Sequence, residues 1–337
     1  MTNKQGKRSR NASAAPRSGT NPKSTAAGVV GLGLMGKSIA TCLLAAGHRV
    51  VGVDKSLPHP RDTRRHVLAF LREMKREGLL SRDPHAVAEN LVLSEDFSSL
   101  GGCAIVIESV VENLEVKQQV LAKIEEAVSA DTLIGSNTSA LPVTELQRKA
   151  KRPERILGIH WAEPAHITRF MEIICGDQTD PASAARVSEL ARRWKKEPTL
   201  VRRDVRGFIT NRIMYAMLRE AFHLVEAGYA TVADVDRSVR NDFGYWTTLA
   251  GPFRFMDLTG IPAYAAVMRD LLPDLDCGKE VPKLMRDVVA SGARGVSNAQ
   301  GFYRYTPAQA RRWEKQFLKF TYEIRALAYK YRERPGD

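Results

Sequence analysis

Gly31-Leu32-Gly33-Leu34-Met35-Gly36-Lys37-Ser38 satisfies two phosphate-binding patterns at once, and the choice between them decides the fold. Gly31, Gly33 and Gly36 fit the dinucleotide pattern G-x-G-x-x-G. There the glycines allow a tight turn, let backbone N–H groups approach a pyrophosphate, and open a helix whose positive end faces that anion. Gly31 and Gly36 followed by Lys37 and Ser38 also fit a nucleoside-triphosphate loop, in which Lys37 meets phosphate and Ser38 a magnesium ion. The downstream residues choose. Arg49-Val50-Val51-Gly52-Val53-Asp54 reads as an apolar strand ending on a carboxylate 18 residues past Gly36, where a dinucleotide domain holds the adenosine ribose hydroxyls. A triphosphate loop wants an apolar strand ending in Asp for its metal, and Ala104-Ile105-Val106-Ile107-Glu108 ends in Glu. The candidate cofactor residues are therefore Gly31, Leu32, Gly33, Leu34, Met35, Gly36 and Asp54. A carboxylate at the ribose 2′-oxygen repels a 2′-phosphate, so Asp54 points to NAD over NADP, tempered slightly by Lys55.

The 337 residues exceed the usual size of one domain, and 44% hydrophobic with 26% charged residues is ordinary for a soluble protein. No apolar run approaches the roughly 20 residues of a membrane span, and no secretory signal appears. A cytoplasmic protein with no membrane partner is expected. Cys42, Cys103, Cys175 and Cys277 lack C-x-x-C spacing and read as buried thiols in a reducing compartment. His48, His59, His66, His85, His166 and His223 show no metal-ligand spacing, so no metal is assigned. Of the net charge of +13, six units sit in residues 1–27 as Lys4, Lys7, Arg8, Arg10, Arg17 and Lys23 with no acid. That uneven distribution weakens a nucleic-acid reading. Residues 1–26 read as a disordered basic tail: a solvated extension, an organelle transit peptide or a polybasic contact.

Residues 60–80 read as a charged helical hairpin with Val67, Leu68, Phe70, Leu71 and Met74 as its apolar stripe and Gly78 as its stop. Strands are expected at 91–93, 103–107, 132–135, 156–159 and 170–175, with a helix through 114–128. Strands alternating with helices imply an α/β fold with a doubly wound, Rossmann-type parallel sheet over residues 27–203. The pattern changes around Thr199–Asp204. From Gly207 the chain reads as helix after helix, with Ile213, Met214, Met217, Leu218, Phe222 and Val225 at helical spacing and a capping box at Thr231-Val232-Ala233-Asp234. An all-α C-terminal domain over 204–337, for substrate and dimerisation, is the expectation.

Further segments follow in order. They are Glu108-Ser-Val-Val-Glu112-Asn113-Leu-Glu-Val-Lys117, Ser136-Asn137-Thr138-Ser139, Gly158-Ile-His160 with Glu172 twelve residues on, Gly207-Phe-Ile-Thr-Asn211-Arg212, Gly251-Pro252-Phe253 and Gly301-Phe302-Tyr303. With the glycine loop, they resemble the 3-hydroxyacyl-CoA dehydrogenase family over roughly residues 27–305. The resemblance implies a homodimer whose helical domain helps close a cleft over nicotinamide and substrate. It also matches His160, in a loop just after an apolar strand, to the catalytic base and Glu172 to the carboxylate that orients it. Oxidising a secondary alcohol needs a base for the hydroxyl proton, and a histidine suits that task near neutral pH. Ser139 and Asn211 match groups that bond the substrate's oxygen and carbonyl; read alone, they are a turn serine and a helix-capping asparagine. Glu112 and Lys117 match contacts to the nicotinamide-side ribose and phosphate; read alone, they are an exposed ion pair.

Three departures set the chain apart. Glu163 stands where relatives usually carry Asn, and with Trp161 it is a candidate substrate contact, the indole offering a face to a cation. Phe70 and Glu77 align with the Ser and Lys that meet CoA in relatives. Ser297 replaces a cofactor-contacting Lys. The leading reading is an NAD-dependent interconversion of an L-3-hydroxyacyl-CoA and its 3-ketoacyl-CoA. The alternatives are a CoA-free 3-hydroxy acid dehydrogenase, as in L-carnitine dehydrogenases and the L-gulonate dehydrogenase/lambda-crystallin group, and a non-enzymatic dinucleotide-binding scaffold.

Overall fold

The computed structural model describes residues 25–55 and 60–331. The basic tail expected at 1–26 lies outside the described residues except for its last two. Strands β1 (Ala26–Val30), β2 (Arg49–Val53), β3 (Leu91–Ser94), β4 (Cys103–Glu108), β5 (Leu133–Ser136), β6 (Ile156–Trp161), β7 (Phe170–Ile174) and β8 (Glu197–Val201) form one sheet in the order β3-β2-β1-β4-β5-β6-β7-β8. The order reverses between β1 and β4. In open sheets of this kind, ligands bind outside the carboxyl ends of the strands at that switch point.

Helices α1 (Leu34–Ala46), α2 (Pro60–Arg76), α3 (Pro84–Ala88), α4 (Leu114–Ala127), α5 (Val143–Gln147) and α6 (Pro181–Arg193) connect the strands and cover both faces. Ile39, Leu43, Val67, Leu71, Val187, Trp161 and Trp194 fill one apolar layer; Val106, Leu121, Ile124, Ile134 and Leu146 fill the other. Of the expected α2 stripe, Val67, Leu71 and Met74 are buried. The expected hairpin is a single long helix ended near Gly78, whose φ is +74°, followed by the short α3.

Two features depart from the expected parallel sheet. Strands β6 and β7 run antiparallel. Only residues 162–169 join them, whereas a parallel crossover needs roughly a dozen residues or more. Strand β8 was not anticipated: Glu197-Pro198-Thr199-Leu200-Val201 carries a charge and a proline, as edge strands often do, and so lacks an apolar signature. The thiols also divide, with Cys42 and Cys103 buried and Cys277 exposed.

Beyond β8 come α7 (Thr210–Glu226), α8 (Val232–Asn241), α9 (Phe243–Thr247), α10 (Pro252–Thr259), α11 (Ile261–Leu271), α12 (Lys283–Ala290) and α13 (Pro307–Lys330). Thr231 caps α8 by accepting from the Asp234 N–H, and Thr306 with Gln309 forms a capping box on α13. No residue of α7 to α12 is buried, and Phe253 and Tyr245 are 79% and 77% exposed. Among the described residues, no helix is long and apolar enough to cross a membrane.

Candidate active site

The glycine loop leads from β1 into α1. Gly31 has φ +89°, and a Cβ there would lie 2.6 Å from the Ser109 carbonyl oxygen. A Cβ on Gly36 would lie 1.8 Å from the Gly31 carbonyl oxygen, so only glycine permits the turn into the helix. A Cβ on Gly33 would meet nothing within 4 Å, so this side of the α1 N-terminus has room for a pyrophosphate. Asp54, at the end of β2, accepts the Leu32 N–H at 2.7 Å and so ties its carboxylate to the loop. Leu32 packs in the core while Leu34 is exposed at the loop. Ser38 is 2% exposed and its Oγ lies 2.8 Å from His166 Nδ1. A hydroxyl so engaged does not hold a magnesium ion, and the residues fit a dinucleotide.

His160 and Glu172 are register partners across β6 and β7. Their side chains meet with Nδ1 2.9 Å from Oε2, at 10% and 1% side-chain exposure. His160 lies within β6, not in a loop after it as expected. Its ring packs edge-on against Phe170 and at a tilt against Phe208. Its Nε2 makes no hydrogen bond among the described residues. Glu172 Oε1 accepts the N–H groups of Ile209 and Thr210 at 3.2 and 2.9 Å, the first donors of α7. Burial acts to raise the Glu172 carboxyl, but the His160 bond and these N–H groups outweigh it and hold the group below the usual carboxylate range. The pair therefore has an ionised carboxylate behind a histidine whose outer nitrogen is free for proton transfer.

Ser139 and Asn211 come together, with Asn211 Nδ2 donating to the Ser139 carbonyl at 2.8 Å. Glu112 shapes this loop by accepting from Thr138 Oγ1, the Ser139 N–H and the Ala140 N–H at 2.6, 2.9 and 3.1 Å. Burial raises the Glu112 carboxyl, and those donors with Lys117 bring it below its ordinary value. Lys117 departs from its expected exposed pairing and from direct cofactor contact. It is fully buried, with Nζ 2.8 Å from Glu108 and 3.4 Å from Glu112. Glu108 also accepts from Ser136 Oγ and the Val110 N–H, making a buried network beneath the β4 and β5 ends. In the sequence Glu108 stands at a strand end and opens the segment that runs to Lys117, with no buried partner indicated.

Trp161 does not offer its face to substrate. Alternation along β6 turns it away from His160 into the core, stacked on Trp194 at 5.6 Å with Lys196 Nζ 4.9 Å from its ring centre. Glu163 is exposed and without hydrogen bond or ion pair among the described residues. Phe70 stacks on His166 with ring centroids 4.4 Å apart, Glu77 pairs with Arg76, and Ser297 donates to the Arg294 carbonyl. His166 and Lys196 carry no signal in the sequence beyond their residue types, whereas Phe208 stands in the segment Gly207-Phe-Ile-Thr-Asn211-Arg212.

The chain is similar to known proteins over most of its length. Residues 26–205 match the NAD binding domain of 3-hydroxyacyl-CoA dehydrogenase, and 207–305 match its C-terminal domain. A 5-formyl-3-hydroxy-2-methylpyridine 4-carboxylate 5-dehydrogenase of Mesorhizobium japonicum is 32% identical over 300 residues, 89% of this chain and 96% of its own length. A probable 3-hydroxybutyryl-CoA dehydrogenase of Deinococcus radiodurans is 30% identical over 279 residues, 82% of this chain and 99% of its own. Among solved structures, a 5-formyl-3-hydroxy-2-methylpyridine 4-carboxylic acid 5-dehydrogenase, described as an NAD+ dependent dismutase, superposes with TM-score 0.84 at 29% identity, covering 91% of this chain and 99% of that one. The (S)-3-hydroxybutyryl-CoA dehydrogenase PaaH1 of Ralstonia eutropha gives 0.69 at 30%, covering 83% and 99%.

Proposed function

Because the chain belongs to the 3-hydroxyacyl-CoA dehydrogenase family and its cofactor is NAD, we propose that His160 and Glu172 drive hydride chemistry on a small substrate that carries no CoA. NAD, when bound at the glycine loop, supplies the hydride acceptor. His160 Nε2 takes the hydroxyl proton while Nδ1–H stays on Glu172, whose carboxylate stabilises the resulting imidazolium. Ser139 and Asn211 hold the substrate oxygens. A hydrated aldehyde presents the same C–H and O–H pair as a secondary alcohol, so the dyad serves either.

One observation carries the CoA-free reading. Phe70 and Glu73 on α2 and Glu77 just past its end follow one helical stripe, and Phe70 and Glu77 fall where relatives meet CoA. In this chain Tyr322 of α13 donates to Glu73 at 2.7 Å in the middle of that stripe, and Phe70 is stacked on His166. The chain's own C-terminal helix thus occupies the face a CoA nucleotide would use. The pyridine carboxylate dehydrogenase supports the same reading, being a near full-length relative named for a substrate without CoA. The family's acyl-CoA esters remain the second reading, favoured by the 3-hydroxybutyryl-CoA relatives. The apolar surface left bare on α7 to α11 is assigned to a second copy of the chain, giving a homodimer.

Comparing NADH formation from CoA-free hydroxy acids, carboxylated aromatic aldehydes, 3-hydroxybutyryl-CoA and its N-acetylcysteamine thioester tests the substrate class. Turnover of a free acid or aldehyde, with the two thioesters equal, is expected. A CoA ester preferred over its truncated thioester by on the order of 10²-fold establishes nucleotide binding and overturns the CoA-free reading.

A further inference from the structure

Helix α13 begins at Pro307, beyond the two family domains, which end at residue 305. It spans 24 residues, and one stripe of it returns to the catalytic half through Tyr322, Arg325 and Tyr329. Arg325 Nε donates to the Ile167 carbonyl at 2.7 Å. Tyr322 holds Glu73, whose Oε1 lies 3.8 Å from His166 Nε2, and the Arg169 guanidinium sits 5.4 Å from the Tyr329 ring centre. Every one of these contacts reaches, directly or through Glu73, the segment 162–169.

That segment is the connection between His160 on β6 and Glu172 on β7. Its remaining anchors belong to the NAD-binding domain: Lys196 Nζ donates to the Ala165 and Thr168 carbonyls, and Ser38 on α1 meets both the ring and the N–H of His166. The Ile167 carbonyl lies between the two that Lys196 holds. A register pair joined by a short connection inherits its alignment from that connection, and a shift of about 1 Å in a reacting group can cost on the order of 10²-fold in rate.

We infer that α13 is a positioning helix for the active site and that Arg325 is a positioning residue, acting on His160 through the 162–169 connection. The inference rests on the reading of His160 and Glu172 as the reacting pair. It differs from mere stabilisation by a terminal helix, because it requires the state of His160 to change when Arg325 is lost from a folded protein.

The test uses full-length Arg325→Met, Arg325→Lys and Tyr322→Phe, measured with NAD+ and the best substrate, alongside the His160 Cε1–H resonance assigned by comparison with His160→Asn. For Arg325→Met the expected result is kcat lower by on the order of tenfold, KM for NAD+ within about twofold, and a displaced His160 resonance. Arg325→Lys restores both readouts to within about threefold. Tyr322→Phe, which removes one hydroxyl and is the fallback if Arg325→Met does not fold, moves both in the same direction by less. A His160 resonance and kcat unchanged in the folded variants overturn the inference, as does a kcat loss that only follows the fraction folded. A displaced resonance in a chain that oxidises no substrate upholds the positioning role and removes the proposed reaction instead.

Discussion

Glu172 faces His160 with one carboxylate oxygen and the N–H groups of Ile209 and Thr210 with the other, so a single side chain fastens His160 to the start of the helical domain. Glu172→Gln keeps the size and removes the charge. Its kcat should fall on the order of 10²-fold through loss of imidazolium stabilisation, with NAD+ affinity preserved in calorimetry. A wild-type kcat in that variant at neutral pH removes Glu172 from the reaction.

The same carboxylate links stability to acid. Its folded value lies below the ordinary 4.5, so the stability it contributes is present above 4.5 and is lost as the pH falls through the folded value. Chemical denaturation from pH 6 to 3 should therefore show a shallower loss in Glu172→Gln than in wild type. Parallel pH profiles of the two proteins contradict the ionised, hydrogen-bonded state.

Lys196 gives the same sign in an alkaline window. Burial lowers its ammonium from 10.5 to about 8, so the unfolded chain binds more protons between those values and this group's contribution to stability rises with pH across them. Against Lys196→Met, wild type should gain in melting temperature between pH 8 and 10. A difference independent of pH means that Lys196 stays fully charged in the fold.

Much of the site was legible because it is local in sequence. The glycine loop alone admits two phosphate-binding readings, and the short apolar strand ending on Asp54, eighteen residues on, decides between them. The pairing of His160 with Glu172 came from a resemblance; its cause, an antiparallel turn, could not be seen where alternation of strands and helices predicts a parallel sheet. Trp161 and Lys117 were misplaced for one reason. Whether an amphipathic side chain faces a cleft or a buried partner is set by tertiary packing, and both partners, Lys196 for one and Glu108 for the other, are ordinary in composition. The hold of Arg325 on the Ile167 carbonyl spans 158 residues, and no periodicity announces such a contact.

Asp54 should set cofactor choice. Asp54→Ala removes charged acceptors for the ribose hydroxyls, an interaction worth about 1.5–3 kcal/mol, and so should weaken NAD+ by about 10- to 100-fold while narrowing its advantage over NADP+. Titration calorimetry of both cofactors reads this. Equal NAD+ and NADP+ affinities in wild type contradict the role.

Glu163 stands exposed three positions after His160, and on the CoA-free reading proposed above it selects against anionic thioesters. Glu163→Asn should raise kcat/KM for 3-hydroxybutyryl-CoA relative to the best CoA-free substrate by about tenfold, the effect of roughly 1.4 kcal/mol. An unchanged ratio takes Glu163 out of substrate choice.

Single-turnover oxidation by His160→Ala, at saturating substrate and NAD+ and with NAD+ binding measured in the same preparation, tests the proposed base most directly. NADH formation is expected to slow by roughly 10² to 10⁴ with NAD+ affinity essentially retained. A wild-type rate in this variant would contradict that role.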